Sequence, residues 1–143
     1  LDNALYIVWD EDEATGIPVI DEQYRSMVSM INTLYYFIGQ DRGDEFLKPV
    51  MKMVEQFALL HFATQEEMML QTGYEQLDEH RKMHQTLLEN ARQILYEQAT
   101  PEGAIRALRF LSQWWRKHMN GEDKKFVEHC RKHGEFINAW NAV

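Results

Sequence analysis

The feature that most constrains this chain is a recurrence. Apolar residues return every third or fourth position through four long stretches. The first runs Ile17, Ile20, Tyr24, Met27, Val28, Ile31, Leu34, Tyr35 and Ile38. The second runs Leu47, Val50, Met51, Val54, Phe57, Ala58, His61, Gln65 and Met68. The third runs Leu77, His80, His84, Leu87, Leu88, Ala91, Ile94 and Leu95, and the fourth Ile105, Leu108, Leu111, Trp115, His118 and Glu122. That spacing is one face of an α-helix. The breaks are short: Gly39 to Gly43, Gly73, and Thr100-Pro101-Glu102. Asp44 reads as an N-cap and Gly73 as a C-cap. Thr100 reads as an N-cap with Pro101 at the first helical position. Short connections make neighbouring helices antiparallel. The chain is therefore expected to be all-α, an up-down-up-down four-helix bundle forming a single domain over 1–143. Residues 1–16 read as an extended arm, and the tail to Val143 as helical with a break near Gly134.

Composition narrows the partners. A chain of 143 residues, 45% hydrophobic and 27% charged, can bury a core, and 3 Pro with 7 Gly disfavour a turn-rich β domain. A net charge of −8 argues against nucleic acid and anionic membrane. No apolar run approaches the ~20 residues of a membrane span, and no signal peptide opens the chain. The lone cysteine, Cys130, excludes a disulfide framework or a Cys-rich zinc module. A reducing, cytoplasmic setting is expected. Leu1 in place of an initiator Met suits a domain cut from a longer protein, such as one fused to a signalling domain.

Polar residues interrupt the stripes at one height. Tyr24, His61, Gln65, His80, His84 and His118 stand on the apolar faces, followed by Glu122 or Asp123. A polar group buried without a partner costs free energy. At ~1.5 Å per residue, Tyr24 lies roughly 16 residues before the first break and His61 roughly 18 after it. The same count across the other breaks places His80, His84 and His118 in that layer. Converging imidazoles suit a metal ion, and nitrogen and oxygen donors without thiolate suit iron, manganese or zinc. His80 and His84 are one helical turn apart, as are His61 and Gln65. Helix geometry favours Glu122 over Asp123 as the carboxylate, about 40° against 140° from His118. His129 and His133 have the same spacing, but near the charged C-terminal end they read as solvated. Cys130 reads as a small hydrophobe.

These residues resemble the hemerythrin family. Trp9, Gly16-Ile17 and Ile20-Asp21-Glu22-Gln23, followed by Ile31-Asn32, resemble its first-helix signature. His61-Phe62-Ala63-Thr64 with Met69 and Gly73-Tyr74 resembles the second, His80 with His84 the third, and Trp114, His118 and Asp123 the fourth. The resemblance implies a bundle around two non-heme irons, held by histidines and two bridging carboxylates, with an open position for O2. Carried over by position, His80, His84 and His118 would hold one iron and His61 the other. Asp123 rather than Glu122 would bridge, through a local distortion near Gly121.

Three positions depart from the family pattern. Tyr24 stands for the first-helix histidine, Gln65 for the bridging glutamate, and Trp115 for a leucine near the O2 pocket. Tyr24 is either a phenolate ligand or a hydrogen-bonding filler. Glu66 could replace the lost bridge only through a bulge, being about 100° from Gln65 around the helix. Three functions stay open. One is a regulatory module that binds or senses O2 or redox state. Another is a mononuclear iron or zinc domain without O2 binding, and the last a di-iron enzyme reducing peroxide or NO. No activated nucleophile, acid–base pair or phosphate loop is visible, so organic substrates are not expected.

Overall fold

The computed structural model describes residues 4–133. Helix α1 spans Pro18–Gly39, α2 Gly43–Thr72, α3 Leu77–Tyr96, α4 Pro101–Gln113 and α5 Asp123–Lys132. A π-helical segment, Trp114–Glu122, joins α4 to α5. Backbone dihedrals stay right-handed helical at both joins, so Pro101 to Lys132 is one rod. The expected tail beyond it, including the break at Gly134, lies outside the described residues.

Local chemistry sets several ends. Pro18 opens α1 at its first position, where the missing N–H costs nothing. The Thr100 hydroxyl accepts the Gly103 N–H over 2.9 Å and caps α4, with Pro101 following. Gly73 ends α2 at φ 65°, a left-handed conformation that a Cβ would penalise. The start of α2 differs from expectation: Gly43, not Asp44, begins the helix. A Cβ on Gly43 would come within 2.8 Å of Ile38 Cγ1 and 3.0 Å of Ala104 Cβ. The chain turns too tightly there for a residue with a side chain. Asp44 lies within the first turn, where its charge complements the helix dipole.

Paired residues run in opposite senses along neighbouring helices. Glu55 meets Arg92 and Glu66 meets Arg81, so α2 and α3 are antiparallel. Met83 meets His118 and Glu97 meets Arg106, so α3 and the last rod are too. Gln23 near the start of α1 meets His61 late in α2, while Ile38 at its end meets Gly43. The result is an antiparallel four-helix bundle. Its core includes Ile20, Met27, Ile31 and Leu34 of α1, Met51, Val54 and Met68 of α2, and Leu111, Trp114 and Phe126 of the last rod. Helix α3 fully buries only His80, His84 and Ala91, and packs the half-buried Leu77, Leu87, Leu88, Ile94 and Leu95 against the core. No helix of the described residues is long and apolar enough to cross a membrane.

The arm is not simply extended. Glu11–Glu13 form a 3-10 turn capped by the Asp10 carboxylate. Ile7 exchanges both backbone bonds with the Asn32 amide, at 2.9 and 2.8 Å. Asp21 accepts from the Thr15 N–H, the Thr15 hydroxyl and the Gly16 N–H. Arg131 of α5 donates to the Thr15 carbonyl over 2.9 Å, so Thr15 joins the starts of α1 and the end of α5. His129 also departs from its solvated reading. It is half-buried and donates Nε2–H to the Thr72 carbonyl over 2.9 Å, satisfying the last turn of α2.

Candidate metal centre

The π segment decides which carboxylate faces inward. Its turns close at the fifth residue instead of the fourth. The Asp123 N–H accordingly bonds the His118 carbonyl, five residues back. Asp123 thus returns to the His118 face and is fully buried, while Glu122 is exposed. The α-helical rotation that favoured Glu122 does not apply here.

Three imidazoles form a triangle. Ring centroids lie 5.5 Å apart for His80 and His84, 5.9 Å for His80 and His118, and 5.1 Å for His84 and His118. Asp123 Oδ1 lies 3.5 Å from His80 Nε2 and 3.6 Å from His118 Nε2. Donors about 2.0–2.1 Å from one tetrahedral ion would sit ~3.3 Å apart. Among the described residues no three His, Cys, Asp or Glu side chains already form a finished cation cage. The rings must close in slightly to share an ion.

Outer partners fix which nitrogen faces inward. Thr64 donates its hydroxyl to the Leu60 carbonyl, so it accepts from Gln23 Nε2. The Gln23 carbonyl oxygen therefore faces His61 Nδ1 at 2.7 Å and must accept its proton. His61 Nε2 is left with a free lone pair. His84 Nδ1 faces Glu66 Oε2 at 3.3 Å, and His118 Nδ1 faces the Met83 sulfur at 3.0 Å. Metal-binding histidines are commonly oriented in this way. Gln23, Thr64 and Met83 had no signal in the apolar periodicity, since they lie at its edge. Glu66, considered as a bridge, instead stands behind His84 and pairs with Arg81.

Tyr24 and Gln65 meet the far side of the carboxylate. The Tyr24 hydroxyl and Gln65 Nε2 each donate to Asp123 Oδ2 over 2.7 Å. Trp115 packs edge-on against Tyr24, with centroids 5.8 Å apart, and Trp9 of the arm packs on Trp115. The His61 ring stacks on Phe57 at 5.4 Å and lies 5.7 Å from Tyr24.

The charge states follow from burial. Desolvation pushes His61 down to about 4 and His84 down to about 2, and lowers His118. These rings are neutral near pH 7. Burial alone would raise Asp123, but the neighbouring His118 and His80 imidazoles and the Tyr24 hydroxyl outweigh it and hold the carboxyl at about 2. Burial, and then the charge of Asp123, raise the Tyr24 phenol well above its ordinary range, so it stays a donor. Burial pushes the Cys130 thiol up to about 11, in keeping with an inert packing residue.

A cation fits what remains. His61 Nε2, Gln65 Oε1, His80 Nε2, His84 Nε2, His118 Nε2 and Asp123 Oδ1 are all buried without a hydrogen-bond partner. Among the described residues the ion-pair neighbours of Asp123 are the imidazoles of His80 and His118. A buried carboxylate among neutral rings is costly unless a positive charge joins it. Several openings approach the layer, among them one of about 240 Å³ beside His84 and Glu66. A cavity of about 270 Å³, bounded by Met83, Phe110, Trp114 and Glu122, reaches His118. A cleft of about 360 Å³ between the arm and α5 reaches Tyr24.

The chain is similar to known proteins. The chain is 28% identical over 129 residues to a bacteriohemerythrin of Stenotrophomonas maltophilia, covering 89% of this chain and 83% of that one. It is 29% identical over 127 residues to a bacteriohemerythrin of Pseudomonas paraeruginosa, covering 88% and 82%. It is 25% identical over 118 residues to a myohemerythrin of Theromyzon tessulatum, covering 82% and 88%. The family model for the hemerythrin HHE cation binding domain matches residues 15–130, and the chain belongs to that family.

Proposed function

We propose that this chain is a non-heme iron-binding domain whose input is O2 or redox state, acting as a regulatory module. The observation that carries this reading is the buried layer in which His80, His84 and His118 Nε2 and Asp123 Oδ1 lack partners. Their nitrogen and oxygen chemistry suits a borderline divalent metal such as iron. The family resemblance supplies iron and O2. The metal would rest on His80, His84, His118 and Asp123, where burial keeps His84 and His118 neutral and the carboxylate is already ionised.

Attachment favours regulation over storage. Asp123 begins α5, and Arg131 near its end holds Thr15 of the arm. Thr15 in turn holds Asp21. A shift of Asp123 on oxidation therefore has a short route to the arm, the kind of two-ended element a switch needs. A single buried cysteine suits a reducing cytoplasm. The described core is of one piece, consistent with a single domain that could serve alone or beside a signalling partner.

The test is metal content per chain, with a visible spectrum recorded in air and without it, on protein made in iron-rich medium. Bound iron and an O2-dependent spectrum are the expected result. Protein that takes up no iron would overturn the reading. Iron without any response to O2 or oxidant would leave a metal domain and remove the sensing role.

A further inference from the structure

The two oxygens of Asp123 live in different surroundings. Oδ1 is unpartnered and faces the Nε2 atoms of His80 and His118. Oδ2 accepts two short bonds, from the Tyr24 hydroxyl and from Gln65 Nε2. A carboxylate oxygen offers about two lone-pair directions, so Oδ2 has none left. A cation placed there would meet the hydrogen ends of an O–H and an N–H.

The donors are held in place. Trp115 packs on the Tyr24 ring, and both are almost fully buried. Turning the Gln65 amide over would set its oxygen 2.7 Å from Asp123 Oδ2, acceptor against acceptor, so the orientation is fixed by the pair itself. The remaining acids are committed elsewhere. Asp21 accepts from Thr15 and Gly16, and Glu66 stands behind His84 and pairs with Arg81. Two divalent ions would therefore face one carboxylate, and the second would find only the neutral His61 Nε2 and Gln65 Oε1. The His61 ring lies among Tyr24, Phe57 and Phe62, beside the triangle of the other three.

We propose that this chain holds one metal ion, on Nε2 of His80, His84 and His118 and on Oδ1 of Asp123, with Tyr24 and Gln65 as positioning residues that cap Oδ2 and keep a second ion out. His61 stays outside the coordination set. This rests on the metal-binding reading given under Proposed function and deepens it.

The experiment is anaerobic loading with ferrous ion, and separately with zinc as a redox-silent probe, followed by removal of free metal and elemental analysis. One equivalent per chain is expected with either ion. His61→Ala is expected to keep that equivalent. The double variant Tyr24→His with Gln65→Glu supplies a nitrogen donor and a second carboxylate, and is expected to rise to two. Two equivalents in the wild-type chain, or loss of the ion in a folded His61→Ala protein, would overturn the proposal while leaving metal binding intact. A folded double variant that still takes one would remove Tyr24 and Gln65 as the cause, and would overturn it as well. No metal in the wild-type chain would bring down the metal-binding reading itself. Should the double variant not fold, the wild-type count and His61→Ala decide the matter.

Discussion

Tyr24 and Asp123 stand 99 positions apart in the chain, yet the tyrosine hydroxyl donates to Asp123 Oδ2 over 2.7 Å. A hydrogen bond to a buried charge contributes about 1.5–3 kcal/mol. Tyr24→Phe should destabilise the metal-free protein by that amount, read from the denaturant midpoint. Because the phenol stays protonated, the same change should leave the visible spectrum of iron-loaded protein without a lost phenolate band. An unchanged midpoint would mean the bond is not made in solution.

His80 contributes a buried Nε2 that faces Asp123 Oδ1. His80→Ala should weaken metal binding more than ~100-fold, beyond the usual effect of losing an outer partner. Competition with a chelator of known affinity measures it. Full metal retention would place the ion elsewhere.

Glu66 orients His84 from outside through Nδ1. Glu66→Ala should cost roughly 10- to 100-fold in metal affinity without changing the number of ions bound, as outer partners of metal-bound histidines do. Isothermal titration with zinc would read both quantities at once. Unaltered affinity would make Glu66 a surface partner of Arg81 only.

Acid should unfold the metal-free protein before ordinary carboxylates titrate. Burial depresses His61 to about 4 in the fold against 6.5 in the unfolded chain. Between those values the unfolded chain binds the proton and the fold does not, so stability rises with pH across the window. The contribution is complete above 6.5 and is lost as pH falls through about 4. A shift of that size corresponds to about 3 kcal/mol. Denaturation midpoints of the wild-type chain and His61→Phe, compared from pH 7 to pH 4, check the slope. Equal slopes would remove His61 as its source.

His129 gives its ring N–H to the Thr72 carbonyl at the end of α2. His129→Ala should cost about 1 kcal/mol, the ordinary net value of such a bond, and should leave metal content alone. Hydrogen exchange localised to the last turn of α2 would report the loss.

Much of the bundle is legible because its signals are local. Thr100 and Pro101 start a helix by their own chemistry, and Gly73 ends one by lacking a Cβ. The histidine layer is legible because antiparallel rods with short turns convert sequence distance into height. What escapes the sequence depends on contacts between helices. Gln23, Thr64 and Met83 act through the rings they touch, and no periodicity marks them. The direction of the Gln65 amide is set by Asp123 from another helix. Asp123 itself is misjudged by α-helical rotation and placed only by the family resemblance. His129 looks solvated until α2 is seen to end beside it.

The π segment has a consequence for the whole C-terminal stretch. It acts as a one-residue frameshift in the helical phase: each side chain after it faces where its predecessor would have faced in an unbroken α-helix. Phe126, Val127 and Cys130 are buried in this shifted frame. Closing this segment into an α-helix of unchanged length would turn all of them, with Asp123, by about 100°. The inward carboxylate, the packing of α5 and the reach of Arg131 to the arm would be lost together. Metal binding and C-terminal packing therefore share a single point of failure in the chain.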